Sequence, residues 1–178
     1  MVDDRSARGD SARDAAPPAA PRFRSILLIC AANTARSMMA EHLLRRELRK
    51  RGIGEFVRVF SAGIAAYARD GALVSLDTRL ALRDEGIELH PESTSTDLRR
   101  HPELLREAEL VIAMTQAQAD ELRAKFPLAG GLPIYTLRAF AGESGDIEDP
   151  YEQSDEVFAA CRDEIKRLLG RVVDRLAS

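Results

Sequence analysis

The chain has 178 residues, a formal net charge of −3, 45% apolar residues, two cysteines and no tryptophan. That length and apolar share favour one domain with an ordinary core, and no run approaches the roughly 18 apolar residues of a membrane-spanning helix. Two cysteines are too few for a disulfide framework or a thiolate metal cage, and 26 basic against 29 acidic residues make no whole-protein case for nucleic acid as partner.

In chain order, residues 1–22 (MVDDRSARGDSARDAAPPAAPR) lack apolar periodicity, so a disordered extension is expected there and a single domain over residues 23–178. The start has no continuous apolar stretch behind a basic head, which argues against a secretory signal and for the cytoplasm. SILLI at 25–29 is an apolar run of buried-strand length, followed by a small polar loop and a helix from Ser37 to about Arg51, closed by Gly52. Phe56–Phe60 reads as strand two, ending at Ser61-Ala62-Gly63, and Leu73–Glu85 as a helix with Gly86 beyond it. A Ser/Thr-rich bend at 93–96 precedes a short helix near 102–108 and strand three at Leu110–Met114. Residues 116–126 form a helix stopped by Pro127, Pro133–Leu137 strand four, and about Ser154–Leu176 the last helix.

Alternating strands and helices predict an α/β fold: a doubly wound, flavodoxin-like four-stranded parallel sheet of order 2-1-3-4 with helices on both faces. Ligands bind such sheets beyond the carboxyl ends of the strands, beside strand one. That places Cys30-Ala-Ala-Asn-Thr-Ala-Arg36-Ser37 at the ligand site. The spacing alone is weak, because Cys161 and Arg167 repeat it inside the last helix, where the amides are already committed. Around Cys30, free amides and the positive end of the next helix converge and favour a dianion and a thiolate nucleophile. The substrate-binding set is thus Ala31, Ala32, Asn33, Thr34 and Ala35, with Ser37 and Tyr151. Arg36 can hold two phosphate oxygens at once, Ser37 can donate to the sulfur, and Asn33 tolerates left-handed backbone. Asp149-Pro150-Tyr151 lies at the same sheet edge, where Asp149 can protonate a leaving group and Tyr151 can wall the pocket; Asp146 and Glu148 are nearby competitors. The three histidines and two cysteines form no metal-ligand cluster, so neither metal nor cofactor is expected.

With ILLICAANTARSMMAEHLL, SAGI at 61–64, LVIAMT at 110–115 and GDIEDPY at 145–151, the chain from Ile26 to about Arg175 resembles the low-molecular-weight protein-tyrosine phosphatases, most closely the bacterial protein-arginine phosphatases. The resemblance implies Cys30 as nucleophile, Arg36 as phosphate clamp, Asp149 as general acid, Ser37 as the thiolate-stabilising hydroxyl, and Asn33 with Ser61 as the pair that braces the loop. It implies a phosphorylated protein as partner, with phosphate or another oxyanion in the loop, and neither nucleic acid nor membrane. Ala32 stands where the family usually has Gly, Ala35 replaces a second loop cysteine, Met38 replaces a frequent proline, and His90 is one residue off the register of a bracing histidine. Thr34 resembles the arginine-specific members, whereas tyrosine-specific ones usually place Ile or Leu there. The activity implied is hydrolysis of protein phosphoarginine through a phosphocysteine, with phosphotyrosine as the alternative. Arsenate reduction needs more cysteines than Cys161 on a distant helix supplies. A cysteine-phosphorylated sugar phosphotransfer carrier is disfavoured because a hydrolytic acid would destroy its stored phosphate.

Overall fold

β1 (Ser25–Cys30) is buried along its whole length and lies at the centre of the sheet. The structure is a computed structural model that describes residues 20–178. The tail expected at 1–22 thus falls largely outside the described residues; at its end Pro21 is buried and the Arg22 N–H donates to the Leu176 carbonyl at 3.0 Å.

β2 (Arg58–Gly63), β3 (Leu110–Ala113) and β4 (Ile134–Thr136) complete an all-parallel sheet of order β2-β1-β3-β4, the predicted arrangement. Side chains of β1 alternate between two cores. Ile26, Leu28 and Cys30 join Leu43, Leu44 and Leu48 of α1 (Arg36–Lys50) and Ile165, Leu169 and Val173 of α6 (Asp155–Leu176). Leu27 and Ile29 face the opposite core, with Leu105 of α3 (Glu103–Glu107) and Leu122 of α4 (Gln116–Lys125).

Two element starts and one unforeseen helix stand out against expectation. β2 starts at Arg58, because the ladder with β1 runs from Ser25–Arg58 to Cys30–Gly63; this carries Ser61–Gly63 into the strand and leaves Phe56 exposed. α2 (Leu76–Asp84) starts three residues late, because the Ser75 side chain caps it by accepting from the Thr78 N–H. Between β4 and the acidic loop stands α5 (Leu137–Phe140), capped by Thr136 and too short for any period to reveal. Among the described residues no helix is long and apolar enough to cross a membrane.

Candidate active site

Cys30 ends β1 and Arg36 opens α1, so residues 31–35 must turn the chain within one short loop. Two features of the neighbouring strand shape that turn. The Ile64 and Ala65 N–H groups donate to the Cys30 and Ala31 carbonyls at 3.1 and 3.0 Å, stitching the loop to the end of β2. At Gly63 a Cβ would sit 2.8 Å from both the Ala31 oxygen and the Ala32 carbonyl carbon, so only glycine lets the backbones meet. Asn33 takes the left-handed conformation (φ 61°). Ala32 does not, which explains how a methyl group replaces the family's usual glycine there.

Among the described residues, no protein acceptor pairs with the Ala32, Thr34 or Ala35 N–H groups. With the start of α1 they form a concave set of donors suited to a tetrahedral oxyanion. The Thr34 carbonyl, by contrast, is held from behind by the Thr78 hydroxyl at 3.0 Å and the Ser75 N–H at 3.4 Å.

The Cys30 Sγ receives the Asn33 N–H at 3.3 Å and lies 2.9 Å from the Ser37 Oγ. The donor direction follows from Asn33. Its Oδ1 accepts from the Thr96 N–H at 2.9 Å, which fixes the amide, so Nδ2 donates to Ser37 Oγ at 2.9 Å and to Ser61 Oγ at 2.8 Å. The Ser37 hydrogen is then left to point at the sulfur. Asn33 and Ser37 are 1% and 0% exposed. Both side chains lie behind the loop, where they make the contacts that the resemblance implies for Ser37 and for Asn33 with Ser61, and neither lines the cavity in front, which corrects their place in the substrate-binding set.

That cavity, of about 330 Å³, is lined by Cys30, Ala31, Ala32, Thr34, Ala35, Arg36, Tyr67, Asp149 and Tyr151. The Arg36 guanidinium is buried, donating to the Ile147 carbonyl at 2.9 Å and to Asp149 Oδ2 at 3.2 Å. Of the three acidic candidates Asp149 alone reaches the cavity. Asp146 instead accepts from the Gln116 N–H at the start of α4, and Glu148 is absent from the lining. Tyr67 was not foreseen. It projects, 72% exposed, from the segment after β2 and lines the cavity together with Tyr151 at 69%, so the site has two aromatic lining residues where the sequence suggested one. Only chain folding brings a residue 37 positions from Cys30 to the same rim.

One further expectation changes. Cys161 is not remote: α6 carries its sulfur to 3.8 Å from the Glu148 carbonyl, under the acid loop, where burial pushes the thiol up to about 12 and keeps it protonated. His90 does not brace the loop, since Thr96 occupies the Asn33 oxygen and the exposed His90 accepts from the Glu92 N–H.

Proteins of known sequence and structure are similar to this chain over most of its length. The protein-arginine-phosphatase of Geobacillus stearothermophilus is 36% identical over 152 residues, 85% of this chain and 95% of its own length. A low molecular weight protein-tyrosine-phosphatase, Ptp of Acinetobacter johnsonii, is 30% identical over 77% of this chain and 86% of its own. Among solved structures, a YwlE arginine phosphatase mutant with a phosphorylated active-site serine superposes with a TM-score of 0.76 at 29% identity, covering 85% of this chain and 95% of that one. The family model described as low molecular weight phosphotyrosine protein phosphatase matches residues 25–178, which takes in every cavity-lining residue, and to that family this chain belongs.

Proposed function

We propose that the chain hydrolyses phosphoarginine on proteins through a phosphocysteine intermediate. The observation that carries this reading is Thr34 on the cavity wall beside Cys30, Arg36 and Asp149. Arg36 and the loop amides hold the equatorial phosphate oxygens while the Cys30 thiolate attacks phosphorus in line. The P–N bond breaks as Asp149 delivers its proton to the departing guanidine nitrogen. Asp149 then takes a proton from water as the water attacks phosphorus and expels the thiolate. A thiolate leaves well with a hydroxyl donating to it, and Ser37 is the donor at 2.9 Å.

The Thr34 side chain offers a hydroxyl to a guanidinium where a larger aliphatic residue would offer an aryl ring an apolar shelf. The exposed rings of Tyr67 and Tyr151 on the cavity lining suit either leaving group, as aryl partners or as cation–π partners. They are the observation that keeps phosphotyrosine as the second reading. The deciding assay compares kcat/KM for a phosphoarginine and a phosphotyrosine peptide in the natural enzyme and in Thr34→Ile. A preference for phosphoarginine that falls at least about tenfold in the variant is expected, since pocket discrimination of this kind spans roughly 10–200-fold. A natural enzyme that prefers phosphotyrosine, or a ratio unmoved by the substitution, overturns the arginine assignment.

A further inference from the structure

Behind the phosphate loop the hydrogen-bond chain does not stop at Ser61. The Ser61 hydroxyl, having accepted from Asn33, donates its hydrogen to the Glu41 carboxylate of α1. Glu41 is 9% exposed, and burial raises its pKa, a push that Arg45 and Ser61 oppose. Its other oxygen meets the Arg45 guanidinium at 2.7 Å, and Arg45 in turn donates to the Val59 carbonyl of β2 at 3.1 Å. A carboxylate so placed costs stability unless its partners are fixed.

We propose that Glu41 is a positioning residue for Cys30, acting through Ser61 and Asn33 to keep the Ser37 hydroxyl aimed at the sulfur. The donor directions make the argument. Asn33 has two N–H bonds to place, one on Ser37 and one on Ser61. Ser61 is a dependable acceptor only while its own hydrogen is committed elsewhere, and Glu41 is the group that commits it. Without that anchor the Ser61 hydroxyl is free to rotate and to present its hydrogen toward Asn33, and the amide loses one of the three bonds that hold it. Asn33 also carries the left-handed turn of the loop, so its loosening reaches the donors that face phosphate. With His90 turned away, the carboxylate holds the far end of this chain.

The inference rests on Cys30 being the nucleophile and is independent of which phosphorylated side chain is the substrate. The test follows the pH dependence of Cys30 alkylation by iodoacetate, mapped by mass spectrometry, beside kcat and KM for p-nitrophenyl phosphate. The ionisable groups facing Glu41 are Arg45 and His42 on its own helix and His101 across the cavity behind the loop, so His42→Gln and His101→Gln serve as controls. Glu41→Leu should move the alkylation midpoint up by about half a pH unit or more, about threefold less thiolate on the acid side. It should lower kcat by about threefold to tenfold with little change in KM, the effect of one lost hydrogen bond. Glu41→Gln, which keeps an acceptor for Ser61, should lie close to the natural enzyme. Ser61→Ala cuts the chain with the Glu41–Arg45 pair intact and should reproduce the Glu41→Leu shift, with no further shift in the double variant. It carries the test should Glu41→Leu not fold. A lowered melting temperature with an unmoved alkylation midpoint would show a structural role only and overturn the proposal. A natural enzyme without phosphatase turnover would instead strike at the proposed function, leaving the alkylation result to be read on its own.

Discussion

Asp149 faces two demands, and its substitution separates them. In the structure its Oδ2 is 3.2 Å from the Arg36 guanidinium, which is 7% exposed, while the Asp149 side chain is 49% exposed. A phosphate dianion seated on the loop must share Arg36 with this carboxylate and lie beside its charge. Two like charges against one at about 5 Å repel by roughly 1.5 kcal/mol in water and more in a drier site; the half-exposed carboxylate belongs near the watery limit, so about 1–2 kcal/mol is the working figure. Asp149→Asn should therefore tighten inhibition by inorganic phosphate by about fivefold to thirtyfold, since 1.4 kcal/mol is tenfold. The same variant loses the proton donor. Its kcat should fall by about 10²–10⁴-fold on phosphoarginine peptides and much less on p-nitrophenyl phosphate in the phosphorylation step, because nitrophenolate leaves without a proton. Phosphate inhibition constants from steady-state competition, with single-turnover rates for both substrates, check the two halves separately. Weaker phosphate binding in Asp149→Asn, or equal rate losses on both substrates, would show that Asp149 supports the loop rather than acting on the leaving group.

Other expectations follow from single contacts. Cys30→Ser should abolish turnover with the fold retained, whereas Cys161→Ser should leave it nearly unchanged, because the Cys161 thiol is pushed up to about 12 and makes only a 3.8 Å contact with Glu148; hydrolysis of p-nitrophenyl phosphate by each variant decides. Gly63→Ala forces a methyl against the Ala31 and Ala32 backbone and should cost about 1–3 kcal/mol with loss of phosphate affinity, read by thermal melting with and without phosphate. His42 is lowered from 6.5 to about 4 by burial and then by Arg45 and Arg49, so the unfolded chain binds its proton first and stability falls as pH drops from 6.5 toward 4. The full shift corresponds to about 3 kcal/mol, which solvent screening of the partly exposed ring reduces to about 1–2 kcal/mol. His42→Gln should flatten that limb of the melting-temperature profile; an unchanged slope would refute the assignment. His101, raised by Glu103 and Asp70, has the opposite sign, its contribution disappearing as pH rises past its folded value.

The loop of the candidate site was legible because its geometry is local in sequence. An apolar run ends in Cys30, a helix begins at Arg36, and five small or polar residues between them leave little but an amide cradle. Asp149 was legible for a related reason: a parallel sheet sends every loop after a strand to the same edge. What the sequence concealed depends on side-chain direction or on distant partners. Nothing local says that Asn33 turns its amide away from the ligand, because that choice is made by the Thr96 N–H, 63 residues on. Tyr67 and Cys161 reach the site only once β2 and α6 are packed, and Cys161 then lies on the protein side of the acid loop. The start of α2 was misjudged for a capping reason that is visible in hindsight: Ser75 competes with helix extension by bonding the Thr78 N–H.

On the proposed mechanism, anchoring explains how the Asp149 carboxylate can rest on Arg36 and still reach a leaving group. The Ile147 N–H donates to the Met114 carbonyl at the end of β3 at 2.9 Å, its carbonyl accepts from Arg36, and its side chain is fully buried. Pro150 is buried two residues beyond Glu148, so the acid stands on a span of two residues between fixed points. Asp149 Oδ1 accepts from the Tyr151 N–H at 3.2 Å, a local turn that keeps the carboxylate over the cavity while Oδ2 rests on Arg36. Phosphate entering the loop competes only for the Arg36 donor that Asp149 holds; the donor on Ile147 can stay, and with it the orientation of the guanidinium. The displaced oxygen then needs only a side-chain rotation to face the leaving group, a motion of picoseconds to nanoseconds for an exposed residue. On that mechanism, binding and delivery of the acid are one exchange of partners at Arg36, made without moving the backbone of either residue.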